Sequence, residues 1–131
     1  MLDTNILLSA SLFPNERINK VIDYIVREHT LVLSDLVTNE FLDVAAYEKF
    51  DRVKDAQKFL GELSYTEYKT PKVTRLKGVS IRDEDDYDIL FSAIKSETDI
   101  FITGDKDFLE CEVSKPRMMT MNEFAILYIN G

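Results

Sequence analysis

Short apolar runs alternate along this chain with longer segments whose apolar residues recur every three or four positions. After Met1-Leu2 and Asp3, an apolar stretch from Ile6 to Phe13 ends at Pro14 and fits either a short helix or a loop. Pro14-Asn15-Glu16 opens a helix to about His29. It has Ile18, Val21, Ile22, Ile25 and Val26 on one face and Glu16, Arg17, Lys20, Asp23 and Arg27 on the other. Leu31–Ser34 has the length of a buried strand. Ser34 or Asp35 caps the next helix, which turns Leu36, Val37, Phe41, Val44 and Ala45 inward and carries Glu40 on its early turns. Asp51 to Leu63 is helical, with Val53, Ala56, Phe59, Leu60 and Leu63 on one face and Gly61 as a weak point. Ser64 to Pro71 is extended. Lys72 to Lys77 fits a short helix or an exposed arm, broken by Gly78. Val79–Arg82 leads into the acidic run Asp83–Asp88, which opens a helix burying Ile89, Leu90, Ala93 and Ile94. Asp99–Thr103 is a β-branched and aromatic strand. Gly104–Leu109 turns into a short helix, Arg117–Thr120 is a last strand, and Met121–Ile129 closes the chain as a helix.

That order predicts an α/β fold: three α/β/α layers around a mostly parallel central sheet, with strands near Leu31–Ser34, Asp99–Thr103 and Arg117–Met119. With 131 residues and no repeat or linker, the expectation is one domain over 1–131. A single cysteine, Cys111, rules out an intrachain disulfide and fits a reducing compartment. One histidine, His29, leaves no basis for a His/Cys zinc site; it is read as an imidazole facing the carbonyls at a helix C-terminus. No apolar run approaches membrane-spanning length and no signal peptide is visible, so the expected location is the cytoplasm, with no membrane partner. A net charge of −8 argues against an extended basic nucleic-acid surface. It leaves a nucleic-acid enzyme open, because carboxylates that hold a divalent ion carry much of that charge only without it.

Four acids are placed to meet at one sheet edge. Asp3 ends the first strand, Glu40 lies on the helix after the second, Asp86 starts the helix before the late strand, and Asp105 follows that strand through Thr103-Gly104. In open α/β folds such strand ends carry the functional groups. Hard ions such as Mg²⁺ and Mn²⁺ take oxygen ligands of this kind. The plainer alternatives are that Asp3-Thr4-Asn5 is a helix cap and that Asp83–Asp88 is a solvated run favoured by a helix N-terminus.

The chain resembles the PIN-domain family of metal-dependent nucleases, in particular the single-domain VapC-like toxins of toxin–antitoxin pairs. Four stretches carry the resemblance, in the family order: Leu2-Asp3-Thr4-Asn5, Ser34 through Glu40 to Val44, Asp83-Glu84-Asp85-Asp86 followed by Ile89, Leu90 and Ala93, and Ile102-Thr103-Gly104-Asp105-Lys106-Asp107-Phe108-Leu109. The resemblance implies that Asp3, Glu40, Asp86 and Asp105 are the catalytic, metal-binding acids. It prefers Asp86 to Asp85 or Asp88, because Ile89 and Ala93 then stand three and seven residues on. It implies that Asn5, Thr103 and Asp107 support and orient the acids. One departure is plain. Only Met1 and Leu2 precede Asp3, where the family has a longer apolar strand; either that strand is short here or native residues before Met1 are missing.

The implied activity is a Mg²⁺- or Mn²⁺-dependent endoribonuclease acting on RNA, the toxin of such a pair or a housekeeping RNA-processing enzyme. Lys106 is placed to touch phosphate, or is simply an exposed turn lysine. Lys69, Lys72, Arg75 and Lys77 form a basic stretch that fits either an RNA track or a solvated face. An apolar C-terminus, with Met118, Met119, Phe124, Ile126, Leu127 and Tyr128, points to a homodimer or an antitoxin surface. Three rivals remain. A haloacid-dehalogenase-type phosphatase would need a second Asp where Asn5 stands. A receiver-like signalling module would need a phosphoacceptor Asp better placed than Asp35. A non-catalytic PIN scaffold has no need of all four acids.

Overall fold

The computed structural model describes residues 1–47 and 49–130. Seven α-helices and four strands alternate: α1 Thr4–Leu12, α2 Glu16–Glu28, β1 Val32–Ser34, α3 Asp35–Ala45, α4 Val53–Glu62, β2 Thr66–Tyr68, α5 Glu84–Lys95, β3 Ile100–Ile102, α6 Lys106–Leu109, β4 Arg117–Met119 and α7 Met121–Phe124. A π-helical turn, Ala125–Ile129, continues α7.

Every strand pairing among the described residues is parallel. β1 pairs with β2 and β3 with β4, in two two-stranded ladders, and Leu2 bridges to Ile102 on the other edge of β3. At the place of the strand expected before Asp3, Leu2 forms a bridge, held by Ile102 N–H to the Met1 carbonyl at 2.9 Å and Asp3 N–H to the Ile102 carbonyl at 3.0 Å. The extended piece after Ser64 is β2, in register with β1 through Thr66–Val32 and Tyr68–Ser34. Consecutive residues Phe101 and Ile102 of β3, and Leu33 and Ser34 of β1, are all buried. Burial of both strand faces requires cover on both sides, as parallel sheets have when helices cross over them. Helices α3 and α5 both pack on β1.

The helices form where caps and periodicity agree. Asn15 accepts the Ile18 amide at 2.9 Å and starts α2, whose Ile18, Val21, Ile22 and Ile25 are buried. Ser34 and Asp35 both accept the Leu36 amide, at 3.2 and 2.9 Å, and start α3, which buries Val37, Phe41 and Ala45. His29 stands at the end of α2 as expected, but its backbone N–H, and not its imidazole, bonds the Ile25 carbonyl. Its ring stacks on Tyr24, Phe124 and Tyr128 at 5.5–5.7 Å and ties the C-terminal helix to α2. The core gathers around Leu33, Phe41, Leu90 and Phe101, each wholly buried.

Of the two readings of Lys72–Lys77 the exposed arm holds and the helix does not: the stretch is irregular, mostly exposed and bonded to α5. The α/β fold with parallel pairing is as expected, its strands forming two two-stranded ladders.

Candidate active site

Leu2 leads straight from its bridge into α1, so the backbone of Asp3 is still strand-bonded while its side chain already caps the helix. Asp3 Oδ1 accepts the Thr4 amide at 2.8 Å, and Oδ2 accepts the Thr103 hydroxyl at 2.7 Å. Thr103 follows β3 directly. Its hydroxyl oxygen also accepts the amide of Asp105 at 3.0 Å. One buried hydroxyl thus joins the carboxylate of Asp3 to the turn that presents Asp105. Asp105 in turn caps α6, accepting the Asp107 amide at 2.9 Å through Oδ1. Capping and strand-end presentation, alternatives in the sequence, are one arrangement here.

Asp86 stands in the first turn of α5, under the cap Asp83, whose Oδ1 accepts the Asp85 and Asp86 amides at 2.8 and 3.2 Å. Glu40, half-buried on α3, lines a cleft of about 310 Å³ that also takes in Asp43, Asp85 and Asp88.

Burial and neighbouring acid charge act on two of the four acids, Asp3 and Asp86. Burial raises the Asp3 carboxyl; hydrogen bonds from Thr103 and Thr4 oppose the rise, and the charges of Glu40 and Asp105 add to it. Asp86 is pushed up to about 6, by burial first and then by the charges of Asp83, Asp105, Asp3 and Glu40. Asp86 and Asp3 therefore sense each other's partners across four separate elements. Among the described residues no three His, Cys, Asp or Glu side chains surround one point as metal ligands do. What links them is charge acting on Asp3 and Asp86, and the cleft that Glu40 lines takes in none of the other three. The donor set is all carboxylate oxygen, which suits Mg²⁺ or Mn²⁺ and not a soft ion.

The supporting residues divide. Thr103 donates its hydroxyl to Asp3, and Asp107 donates its amide to Asp105 while its carboxylate pairs with Arg82 at 3.5 Å. Asn5 is a correction. It is exposed, and its side chain makes no hydrogen bond among the described residues. A helix turns about 100° per residue, which carries the second position after the cap away from the capping side chain. Lys106 is exposed at the start of α6.

Residues 1–107 match the family model of the PIN domain. The chain belongs to the PIN-domain family. PIN domains are generally nucleases and typically use divalent metal ions. The fold is shared with a chain in the crystal structure of VapBC2 from Rickettsia felis bound to a DNA fragment from their promoter: the TM-score is 0.68 at 13% identity, over 92% of this chain and 96% of that one. A comparison with curated proteins gave no match. Among the described residues of this PIN domain, no helix is long and apolar enough to cross a membrane.

Three partners of the acid-bearing elements were not singled out from sequence. Arg82 reaches Asp107, Thr70 reaches Asp35, and the Tyr87 hydroxyl reaches the backbone of 74–76. For Arg82 a signal was present: residues 69–82 hold five cations and no acid.

The state of Asp86 gives a pH prediction for this PIN domain. Its folded pKa of about 6 lies above the ordinary value of about 3.9, so the native state holds the extra proton. The associated stability is complete below pH 4 and is lost as pH rises through 6. In metal-free buffer, the wild type should melt level with Asp86→Asn at pH 4 and below it at pH 7. The gap should be on the order of 3 °C, as about 1 kcal/mol gives after solvent screening. Thermal melts across that range check it; a gap of the opposite sign removes Asp86 from the charged cluster.

Proposed function

We propose that this chain is a Mg²⁺- or Mn²⁺-dependent endoribonuclease and the toxin of a toxin–antitoxin pair. The observation that carries the reading is that Asp3, buried and bonded to Thr103, and Asp86 are both raised by burial and by the charges of Glu40 and Asp105, Asp86 also by that of Asp3. Acids held together at such a cost are of use when a cation offsets them. Asp3, Glu40, Asp86 and Asp105 would hold the ion. When bound, it supplies an acidified water and positive charge to set against a scissile phosphate. The chain's own contribution is orientation. Thr103 fixes the Asp3 carboxylate and the Asp105 turn together, and Asp83 fixes the first turn of α5.

The VapBC2 neighbour is a toxin–antitoxin complex, and its fold agreement over nearly all of both chains supports the toxin assignment and an antitoxin partner. Ile126, Leu127 and Tyr128, 64%, 47% and 38% exposed, supply an apolar patch for protein association, including a homodimer. Of the expected apolar excess, Met119 and Phe124 belong to the core instead. A toxin of this kind acts on cytoplasmic RNA.

The test is direct. Purified protein should cleave single-stranded RNA with Mn²⁺ or Mg²⁺ and stop with EDTA. Mn²⁺ at about 100 times its dissociation constant should add about 2.7 kcal/mol of stability. RNA left intact under all metals, together with no Mn²⁺ shift, overturns the reading in favour of a non-catalytic scaffold.

A further inference from the structure

An active edge made of four carboxylates repels phosphate, so affinity for RNA has to come from beside it. Between β2 and α5 the chain runs through residues 69–82 without helix or strand. Loops of this length in compact domains are usually functional or disordered. In a protein of net charge −8, this one carries Lys69, Lys72, Arg75, Lys77 and Arg82 and no acid.

The stretch is not loose. Two pins hold it, each on an element that also carries one of the four acids. Thr70 donates to Asp35 Oδ1 through its hydroxyl at 2.6 Å and its amide at 3.1 Å, and Asp35 opens α3, the helix of Glu40. Tyr87, 2% exposed and next to Asp86 on α5, accepts the Leu76 amide at 2.7 Å and donates to the Thr74 carbonyl at 3.0 Å. Arg82 has only a long, exposed pair, at 3.5 Å, with Asp107 on α6, the helix that Asp105 caps. Gly78, at φ 78°, makes the bend that turns the stretch after Lys77.

The cations stay available. All five residues are exposed. Among the described residues Lys69, Lys72 and Lys77 form no ion pair. Arg75 lies over the Tyr87 ring at 4.2 Å, which orients its guanidinium, and its pair with Glu84 is long at 3.5 Å and exposed. Exposed pairs of this kind are weak and exchange readily for a phosphate.

We propose that residues 69–82 are the phosphate track of the enzyme: a cationic strip, fixed by Asp35 and Tyr87 alongside the acid edge, along which the backbone of single-stranded RNA lies. Tyr87 is a positioning residue for that strip. The inference rests on the ribonuclease reading and adds the surface that binds the substrate.

The experiment compares the wild type with the triple variant Lys72→Gln/Arg75→Gln/Lys77→Gln, using a fluorescein-labelled single-stranded RNA of mixed sequence. With Mn²⁺, the triple variant should raise KM about 10-fold near physiological salt and leave kcat and the Mn²⁺-induced melting shift unchanged. The slope of log KM against log salt should fall by about 2, about 0.7 for each lost phosphate contact. Tyr87→Phe keeps the ring and removes both hydrogen bonds. It should raise KM about threefold at an unchanged slope, because the cations remain but are no longer held in place. Equal KM and salt slope in wild type and triple variant overturn the track. An unchanged KM in Tyr87→Phe overturns the role of Tyr87. If the wild type cleaves no RNA, the ribonuclease reading fails. Anisotropy of the same RNA then decides the strip alone: binding lost in the triple variant upholds it, and equal or absent binding overturns it.

Discussion

Asp3→Asn should lower metal-dependent RNA cleavage at least about 100-fold, the scale on which single groups in charge-stabilising sites act. The fold should survive intact. Asn offers an oxygen to the Thr4 amide, and its NH₂ can donate to Thr103 Oγ1, which already accepts the Asp105 amide. Both local bonds keep a partner while the buried charge is gone. Because burial and the charges of Glu40 and Asp105 raise the Asp3 carboxyl, removing it should slightly stabilise the metal-free protein at pH 7. The stabilisation by added Mn²⁺ should shrink. A residue that was only a helix cap would behave the other way, with a small loss of stability and an untouched Mn²⁺ response. Melts of both proteins with and without Mn²⁺ separate the two even before a substrate is known. Equal shifts would take Asp3 out of the site.

Phe108→Ala should cost about 3–5 kcal/mol and lower the melting temperature by about 10–20 °C. Phe108 is 1% exposed and meets Phe101 of β3 at 5.2 Å between ring centres. Helix α6 has four residues, too few to stand by its own hydrogen bonds, so this contact holds it and its cap Asp105 against the sheet. The variant should also lose about 10- to 100-fold in kcat at temperatures where it is folded, because a displaced acid no longer shares the site geometry. Phe59→Ala is the control. Phe59 is half-buried on α4, against Phe41 at 6.2 Å, and its loss should lower stability and spare kcat. Full kcat in Phe108→Ala would show that Asp105 needs no such support.

Where a segment's local preferences and its tertiary surroundings agree, the sequence was easy to read. Helices α2 and α3 are of this kind, with a capping Asn or Ser followed by apolar residues at helical spacing. The segment around Val73 and Leu76 misled for a physical reason. Its spacing suits a helix, but Tyr87 takes the Leu76 amide and the Thr74 carbonyl, groups a helical turn would need for itself. Helix α4 starts at Val53 rather than Asp51 because Asp51 adopts a left-handed φ of 46°. The closing helix was legible to Ile129, but its π-winding, with the Asn130 amide bonded to the Ala125 carbonyl at 2.8 Å, leaves no trace in apolar spacing. In the candidate site, the acids could be placed by strand and helix ends. The hydroxyl linking Asp3 to Asp105 could not, since it joins residues a hundred positions apart.

That distance has a consequence for synthesis. During translation Asp3 emerges well before its backbone partner Ile102 and its side-chain partner Thr103, and Thr103 itself leans on the carbonyl of Met119. A ribosome must release Thr103 before the two halves of the acid edge can meet, and such long-range pairing is slow to form. On the ribonuclease reading proposed above, a partly made polypeptide is inert, and this delay protects the message and the machinery producing it. Truncation before residue 103 should give harmless fragments rather than weak nucleases.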